Sequence, residues 1–201
     1  MSERLAEVRS QLGGARLIVV TKYADEAQVE ALLALGVRDF GENRAKQLEA
    51  RRTRWPEASW HFLGRIQRRD IRHLARAATS AHAFDRPEIA ERWVEHDGPP
   101  IHLQVNLAEE AQKAGIPEQG LHEAVDRLRA HGVKLHGLSL MPPRVEEPEA
   151  SRPWMRRLRA LVDATGLSGC SMGTSQDWRV ALEEGSTCVR IGRWLLEDLI
   201  V

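Results

Sequence analysis

The chain has 201 residues, and its 29 basic side chains are balanced by 29 acidic ones, so the formal net charge at pH 7 is zero. This balance argues against a nucleic-acid partner, which normally requires a strongly basic surface. The length predicts a single domain over residues 1–201 with a sizeable core, and no apolar stretch approaches the roughly 20 residues of a membrane span.

The first predicted strand covers residues 16–22 and ends at Lys22. It contains four consecutive apolar residues, mostly β-branched, which predicts a strand buried on both faces. An ammonium group at the end of such a strand loses water. A desolvated lysine has a lowered pKa and suits Schiff-base chemistry with an aldehyde. The alternative is that Lys22 extends along the sheet and keeps its charge in solvent.

Strand-like and helix-like segments alternate through the rest of the chain. The predicted strands are 16–22, 37–41, 60–64, 79–84, 101–107, 133–140, 168–172 and 187–191. One helix is predicted to begin with a capping box at Asp25 and to stop at Gly36, and another to begin in the same way at Asp85. This alternation implies a parallel sheet. Eight strands favour an α/β fold, a (β/α)8 TIM barrel, and an open doubly wound sheet is the alternative.

Two further groups of residues have ordinary structural explanations. Cys170 and Cys188 lie in apolar strand-like segments, which favours reduced, buried thiols and a cytoplasmic location. Helical spacing relates the arginines at 65, 68, 69, 72 and 76. Such a cluster is usually a solvated helix face, and the neutral net charge weakens its interpretation as a nucleic-acid site.

Chemistry in a barrel of this kind lies at the C-terminal ends of the strands. The segment Gly173-Thr174-Ser175 follows the seventh strand and precedes a helical stretch that begins at Gln176. Backbone N–H groups and the two hydroxyls there favour an anion such as phosphate, although a plain helix cap is the alternative. Gly192, after the eighth strand, either lets the backbone approach the same phosphate or serves as an ordinary turn glycine.

Several segments together match one family, in order from residue 16 to residue 192. They are Val19-Val20-Thr21-Lys22, Phe40-Gly41-Glu42-Asn43, Trp60-His61-Phe62-Leu63-Gly64, Gln104-Val105-Asn106, Lys113-Ala114-Gly115, Met141-Pro142-Pro143, Ser171-Met172-Gly173-Thr174-Ser175 and Arg190-Ile191-Gly192. The chain resembles the YggS/PROSC-type pyridoxal 5'-phosphate (PLP) homeostasis proteins, which look like the barrel domain of alanine racemase.

The resemblance implies the cofactor PLP and a role for each matching residue. Lys22 corresponds to the lysine that holds the cofactor as a Schiff base, and Ser175 to a serine near the phosphate. Gly192 belongs to the strand-eight motif whose arginine, Arg190, faces the pyridine nitrogen. Asn43 either bonds the cofactor or shapes a turn. Thr174 replaces the family's usual methionine and leaves the pocket geometry open.

The resemblance further implies a monomeric, non-catalytic carrier that holds PLP and passes it to apo PLP-dependent enzymes. A PLP-dependent amino-acid racemase or lyase is the alternative, and a phosphosugar-binding barrel enzyme is a third hypothesis. A racemase of this type needs a second base, usually a tyrosine. The only tyrosine is Tyr23, and adjacent strand residues point to opposite sides, so we expect Tyr23 to point away from Lys22. His61 is expected to fill the barrel interior.

Overall fold

The computed structural model describes residues 2–108, 114–143 and 145–197. Its strands are β1 (Arg16–Val20), β2 (Asp39–Glu42), β3 (Ser59–Phe62), β4 (Ser80–Phe84), β5 (Ile101–Asn106), β6 (Ile116–Pro117), β7 (Leu135–Leu140), β8 (Gly169–Ser171) and β9 (Cys188–Ile191). Its helices are α1 (Ser2–Gln11), α2 (Glu26–Ala34), α3 (Ala45–Arg54), α4 (Ile71–Ala77), α5 (Ala90–Glu95), α6 (Leu121–Ala130), α7 (Arg152–Ala164), α8 (Trp178–Glu183) and α9 (Arg193–Leu196).

Eight of the strands close into a parallel barrel. Its order is β1, β2, β3, β4, β5, β7, β8 and β9, after which β9 pairs with β1. The pairing of Ile18 with Arg190 sets the register of that closing contact. The two-residue strand β6 pairs with the end of β5 outside this circle. The predicted (β/α)8 barrel is therefore confirmed, and the open-sheet alternative is wrong.

Helices cover the outside of the barrel, so the strands are buried on both faces. Buried apolar residues of the strands and helices form one continuous cluster, in which the rings of Phe40 and Trp60 stack with their centroids 5.0 Å apart. In the part of the chain that the structure describes, no helix is both long enough and apolar enough to cross a membrane. The thiols of Cys170 and Cys188 are free and buried, as expected, and burial raises their pKa to about 12 and about 11.

The predicted strands differ from the observed ones by up to two residues at their ends, and three differences concern residues singled out in the sequence. The first strand ends at Val20, two residues before Lys22. Asp85 caps no helix, because its carboxylate pairs with Arg65 at 3.3 Å and a 3₁₀ helix, Pro87–Ile89, precedes α5. The helix expected from Gln176 begins at Trp178. The capping box at Asp25 is confirmed, with both of its hydrogen bonds present.

Candidate functional site

Lys22 lies in a tight turn at the C-terminal end of the barrel. The N–H of Ala24 donates to the carbonyl of Thr21 at 2.9 Å and closes the turn. Lys22 is exposed, so the expectation of a desolvated lysine is wrong for this structure. Its Nζ lies 5.0 Å from the centre of the Tyr23 ring. The prediction that Tyr23 points away from Lys22 is also wrong, because turn residues do not alternate sides as strand residues do.

A buried ion pair, Glu42 and Arg51, supports this turn and is called the brace. The Thr21 hydroxyl donates to Glu42 Oε1 at 2.8 Å, and Arg51 Nε lies 2.9 Å from the same oxygen. Arg51 also donates through a terminal nitrogen to the carbonyl of Ala24 at 2.6 Å. Glu42 is 0% exposed, and this burial raises the pKa of its carboxyl against the opposing effects of the Thr21 bond and the Arg51 charge.

Sequence reasoning did not assign this brace. A signal was present, because Arg51 follows Ala45 and Leu48 at helical spacing on the buried side of α3. An arginine in an apolar stripe predicts a buried partner. Glu42, at the end of a buried strand, is the corresponding acid. The two residues hold the backbone on both sides of Lys22, so they fix where its side chain starts.

Ser175 lies against the end of β9. Its hydroxyl oxygen accepts from the backbone N–H of Gly192 at 3.3 Å and from that of Trp194 at 3.5 Å. Both contacts are long for N–H···O bonds. The two N–H groups therefore converge on one point at the rim, where a stronger acceptor than a hydroxyl oxygen has two donors available.

Thr174 is engaged differently. Its hydroxyl and its backbone N–H both donate to Asp177 Oδ1, at 3.0 and 2.7 Å. Asp177 thereby closes the turn that precedes α8, and the Thr174 hydroxyl has a protein partner. Thr174 stays a predicted cofactor ligand. Asn43 is exposed directly after β2 and also stays a prediction, while Lys113 lies outside the described residues.

Gly192 allows two strand ends to approach closely. A Cβ at this position would lie 3.0 Å from both the Cβ and the carbonyl oxygen of Val20, the last residue of β1. This close approach accounts for a glycine at position 192. The phosphate-side loop consequently lies beside the strand that leads to Lys22.

Arg190 projects from β9 into the barrel and is 7% exposed. One terminal nitrogen donates to the hydroxyl of Ser171 at 3.0 Å, and the other donates to the carbonyl of Leu140 at 2.7 Å. Ser171 and Leu140 are the last residues of β8 and β7, so the guanidinium lies at the C-terminal rim. Burial lowers its pKa from the ordinary value, yet a guanidinium stays charged in proteins.

The middle of the barrel contains histidines. His61 fills the interior as expected, and its ring contacts that of His82 edge to face, with centroids 5.6 Å apart. The ring of His82 stacks on His102 at 4.2 Å. Burial lowers the pKa of both His82 and His102 well below 6.5, and neighbouring histidines and Arg190 lower it further.

We expect acidification below pH 6.5 to destabilise the protein through these two residues. Their folded pKa values are lowered, so their contribution is fully present above the unfolded pKa of about 6.5 and is lost as the pH falls. Each histidine contributes a slope of up to about 1.4 kcal/mol per pH unit. Urea unfolding at several pH values between 7 and 5.5 gives the unfolding free energy as a function of pH. This free energy should fall less per pH unit in His102→Leu than in the parent protein, and an equal fall in both would contradict the prediction.

Comparison with known proteins identifies the family. The family model for "Alanine racemase, N-terminal domain" matches residues 1–197. The chain belongs to the alanine racemase N-terminal domain family. Within the described residues of this family member, no three His, Cys, Asp or Glu side chains are grouped in a way that could hold a metal ion.

The chain is similar to curated pyridoxal phosphate homeostasis proteins. The one from Pseudomonas aeruginosa is 38% identical over 188 residues, which cover 88% of this chain and 81% of the relative. The one from Aquifex aeolicus is 32% identical over 200 residues, covering 92% and 87%. The resemblance to YggS/PROSC-type proteins, inferred from the motifs, is confirmed.

Solved structures agree on the fold. The structure of PipY from Synechococcus elongatus PCC7942 with PLP bound superposes with a TM-score of 0.88 at 30% identity, over 96% of this chain and 98% of that one. Alanine racemase from Corynebacterium glutamicum superposes with a TM-score of 0.75 at 17% identity, over 95% of this chain and 58% of that one. At this identity the racemase shows a shared fold only.

Proposed function

We propose that the protein binds pyridoxal 5'-phosphate at the C-terminal rim of the barrel and takes part in PLP homeostasis. The observation that carries the proposal is the convergence of three groups at β1 and β9, which are paired strands. They are the Lys22 turn, the N–H groups of Gly192 and Trp194, and the Arg190 guanidinium. The names of the relatives in Pseudomonas aeruginosa and Aquifex aeolicus, and the PLP-bound PipY structure, support the same ligand.

The residues present fit the phosphate of this cofactor. The N–H groups of Gly192 and Trp194 meet the hydroxyl of Ser175 at long distances. A phosphate oxygen is a charged and stronger acceptor, and hydrogen bonds to it are shorter than those to a neutral hydroxyl. Ser175 would then rotate and donate its own proton to the phosphate. Thr174 and Asn43 are proposed as neighbouring contacts.

The remaining groups fit the other two ends of the cofactor. PLP supplies an aldehyde that an amine can attack and a pyridine ring that withdraws electrons. Lys22 is the proposed amine, since its exposed side chain starts from a braced turn. Arg190 offers only N–H donors, so it cannot take a proton from the ring nitrogen. An arginine there keeps that nitrogen unprotonated and limits the withdrawal of electrons.

We propose a carrier without catalysis, which holds PLP and passes it to apo PLP-dependent enzymes. Racemisation through two bases needs groups on opposite faces of the substrate. Tyr23 and Lys22 share one turn, and the Lys22 amine lies over the Tyr23 ring, so the pair cannot flank a substrate. We also propose that the carrier is a single-domain monomer that acts in the cytoplasm. Light scattering tests the monomeric state directly.

The phosphate assignment predicts a strong effect of Ser175→Ala. Loss of a hydrogen bond to a charged group should weaken PLP binding by roughly 1.5–3 kcal/mol. The measurement is a spectroscopic titration of the protein with PLP and with unphosphorylated pyridoxal, and pyridoxal should bind far more weakly. Ser10→Ala, which removes an exposed hydroxyl on α1, is the control. Equal affinity for the two aldehydes would remove the anion site from the proposal.

The carrier hypothesis predicts no racemase activity. Incubation of the PLP-loaded protein with L-alanine should give no D-alanine above the level produced by free PLP. The same incubation in D₂O should show slow exchange of the α-proton, because Arg190 leaves the ring nitrogen unprotonated. Chiral chromatography measures the D-alanine formed. Rapid formation would favour the racemase alternative instead.

A further inference from the structure

A continuous line of hydrogen bonds crosses the barrel interior from one rim to the other. Its five contacts are Asp39 Oδ1 to His61 Nε2 at 2.9 Å, His61 Nδ1 to Ser80 Oγ at 2.7 Å, Ser80 Oγ to His82 Nε2 at 2.9 Å, His82 Nδ1 to Ser171 Oγ at 2.8 Å, and Ser171 Oγ to an Arg190 terminal nitrogen at 3.0 Å. Strands β4 and β8 are not neighbours, so the contact between His82 and Ser171 spans the lumen.

The chemistry of its two ends, together with a neutral His61, fixes the direction of this line. An ionised carboxylate can only accept, so His61 must carry a proton on Nε2 to bond Asp39. If His61 is neutral, its Nδ1 accepts, and the Ser80 hydroxyl donates to it. Ser80 then accepts from His82 Nε2–H, which leaves His82 Nδ1 as an acceptor. Ser171 donates to that nitrogen and accepts from Arg190, which can only donate.

We propose that these six residues form a single directed hydrogen-bond chain, in which His61 and His82 are neutral Nε2–H tautomers and His82 and Ser171 are positioning residues for Arg190. The positioning role rests on the proposed function, because it matters only if Arg190 faces the cofactor. The tautomers do not depend on that function. Each residue donates a hydrogen bond to the next, through five bonds that begin at Arg190 near the C-terminal rim and end at Asp39 at the opposite end of the barrel.

Burial and charge support a neutral His82. The ring is 3% exposed. Along the hydrogen-bond chain, the nearest charged group is the Arg190 guanidinium, which is joined to His82 through Ser171. A second cation at this depth would be unfavourable. The ring also stacks on His102, whose Nδ1 has no hydrogen-bond partner among the described residues. The Asp39 side chain, at the other end, is 28% exposed and lies 3.5 Å from Arg16.

The competing arrangement requires a protonated His61. Its Nδ1–H would then donate to Ser80, and every bond from there to Ser171 would reverse. His82 would become an Nδ1–H donor, and Ser171 would turn its proton toward the neighbouring thiol of Cys188. This arrangement keeps all five contacts, but it gives the Ser171 proton a thiol sulfur, a weak acceptor, in place of a ring nitrogen. It also places a positive charge on the His61 ring, which is 1% exposed, and burial disfavours the charged form.

The chain gives Arg190 a fixed orientation. Ser171 and the Leu140 carbonyl hold the two terminal nitrogens from adjacent strands. Because the Ser171 hydroxyl donates its one proton to His82, its lone pairs stay available to accept from the guanidinium. Without that partner the hydroxyl is free to rotate, and one of the two bonds that hold Arg190 weakens.

Nuclear magnetic resonance on cofactor-free protein with ¹⁵N-labelled histidine tests the direction. Two-bond proton–nitrogen correlations distinguish the tautomers, and His61→Gln and His82→Gln assign the two rings. We expect both rings to be neutral at pH 7 with protonated Nε2. A protonated Nδ1 on His82 would overturn the directed chain, whether or not the protein binds PLP.

The positioning role is tested on PLP-loaded protein by its visible absorption maximum. Ser171→Ala should shift the maximum and weaken PLP binding several-fold, and Ser171→Thr, which restores a hydroxyl, should reverse both changes. Ser139→Ala is the matched control, because Ser139 pairs in register with Ser171 but donates to the backbone of His82. An unchanged spectrum in folded Ser171→Ala would overturn the positioning role. Failure of the parent protein to bind PLP would refute the proposed function and leave the tautomer result standing.

Discussion

Replacing Lys22 by alanine is expected to abolish covalent capture of PLP. In the parent protein, borohydride should reduce the carbon–nitrogen bond between the cofactor and Lys22 and fix the cofactor on the peptide that contains this residue. Lys22 is exposed, so the substitution should change the free energy of unfolding by no more than about 0.5 kcal/mol. Loss of the label could then not be attributed to loss of the fold.

Mass spectrometry of the reduced protein makes this measurement, and the other lysines supply the controls. Lys46 and Lys134 are exposed in the structure, and their alanine variants should label as the parent does. Lys22→Ala should retain some weak, reversible PLP binding through the phosphate contacts of Ser175 and Gly192. A label that persists in Lys22→Ala, or that lies on another lysine in the parent, would assign the covalent site elsewhere.

The second large effect is expected at the brace below this turn. Arg51→Met should destabilise the protein by about 3–5 kcal/mol, because the Glu42 carboxylate stays buried without its cation. The turn that carries Lys22 also loses the bond from Arg51 to the Ala24 carbonyl. Urea unfolding measures the stability, and the yield of borohydride labelling at limiting PLP should fall with it.

Two variants separate the buried pair from a general effect of arginine loss. Arg54→Met lies one turn further along α3, where the arginine pairs with the exposed Glu26 and Glu30. Its cost should stay below about 1 kcal/mol. Adding Glu42→Gln to Arg51→Met removes the buried charge and should recover part of the loss. If the two arginine variants cost the same, the brace has no special role.

Local sequence signals predicted the architecture well because the barrel strands are buried on both faces and rich in apolar residues. Each of the eight predicted strands corresponds to a barrel strand, and Gly36, with a φ of +77°, ends α2 as expected. The two-residue strand β6 was missed, since two residues give no periodicity. The first strand was predicted too long, to Lys22. The backbone N–H of Thr21 still donates to the carbonyl of Gly41, but Thr21 also begins the turn that Ala24 closes.

The site was predictable only where one residue carries the chemistry. Lys22, Ser175 and Arg190 follow apolar strands or lie at their ends, and their types suggest an amine, an anion contact and a fixed cation. Long-range partnerships gave no such signal. His82 and Ser171 meet only because the barrel brings β4 and β8 to face each other, and no spacing in the sequence relates them. The exposure of Lys22 likewise depends on the turn and not on the composition of β1.

The pairing of β1 with β9 has a consequence for biosynthesis. The Lys22 turn and the Arg190 guanidinium come from opposite ends of the sequence and become neighbours only when the first strand meets the last. Such a contact carries a large loop-closure cost and belongs to the slow part of folding. A chain still emerging from the ribosome has the lysine but neither the arginine nor the Gly192 segment. A ligand bound by all of these groups would therefore stabilise finished molecules alone, and newly made chains would not compete for it until their last strand is in place.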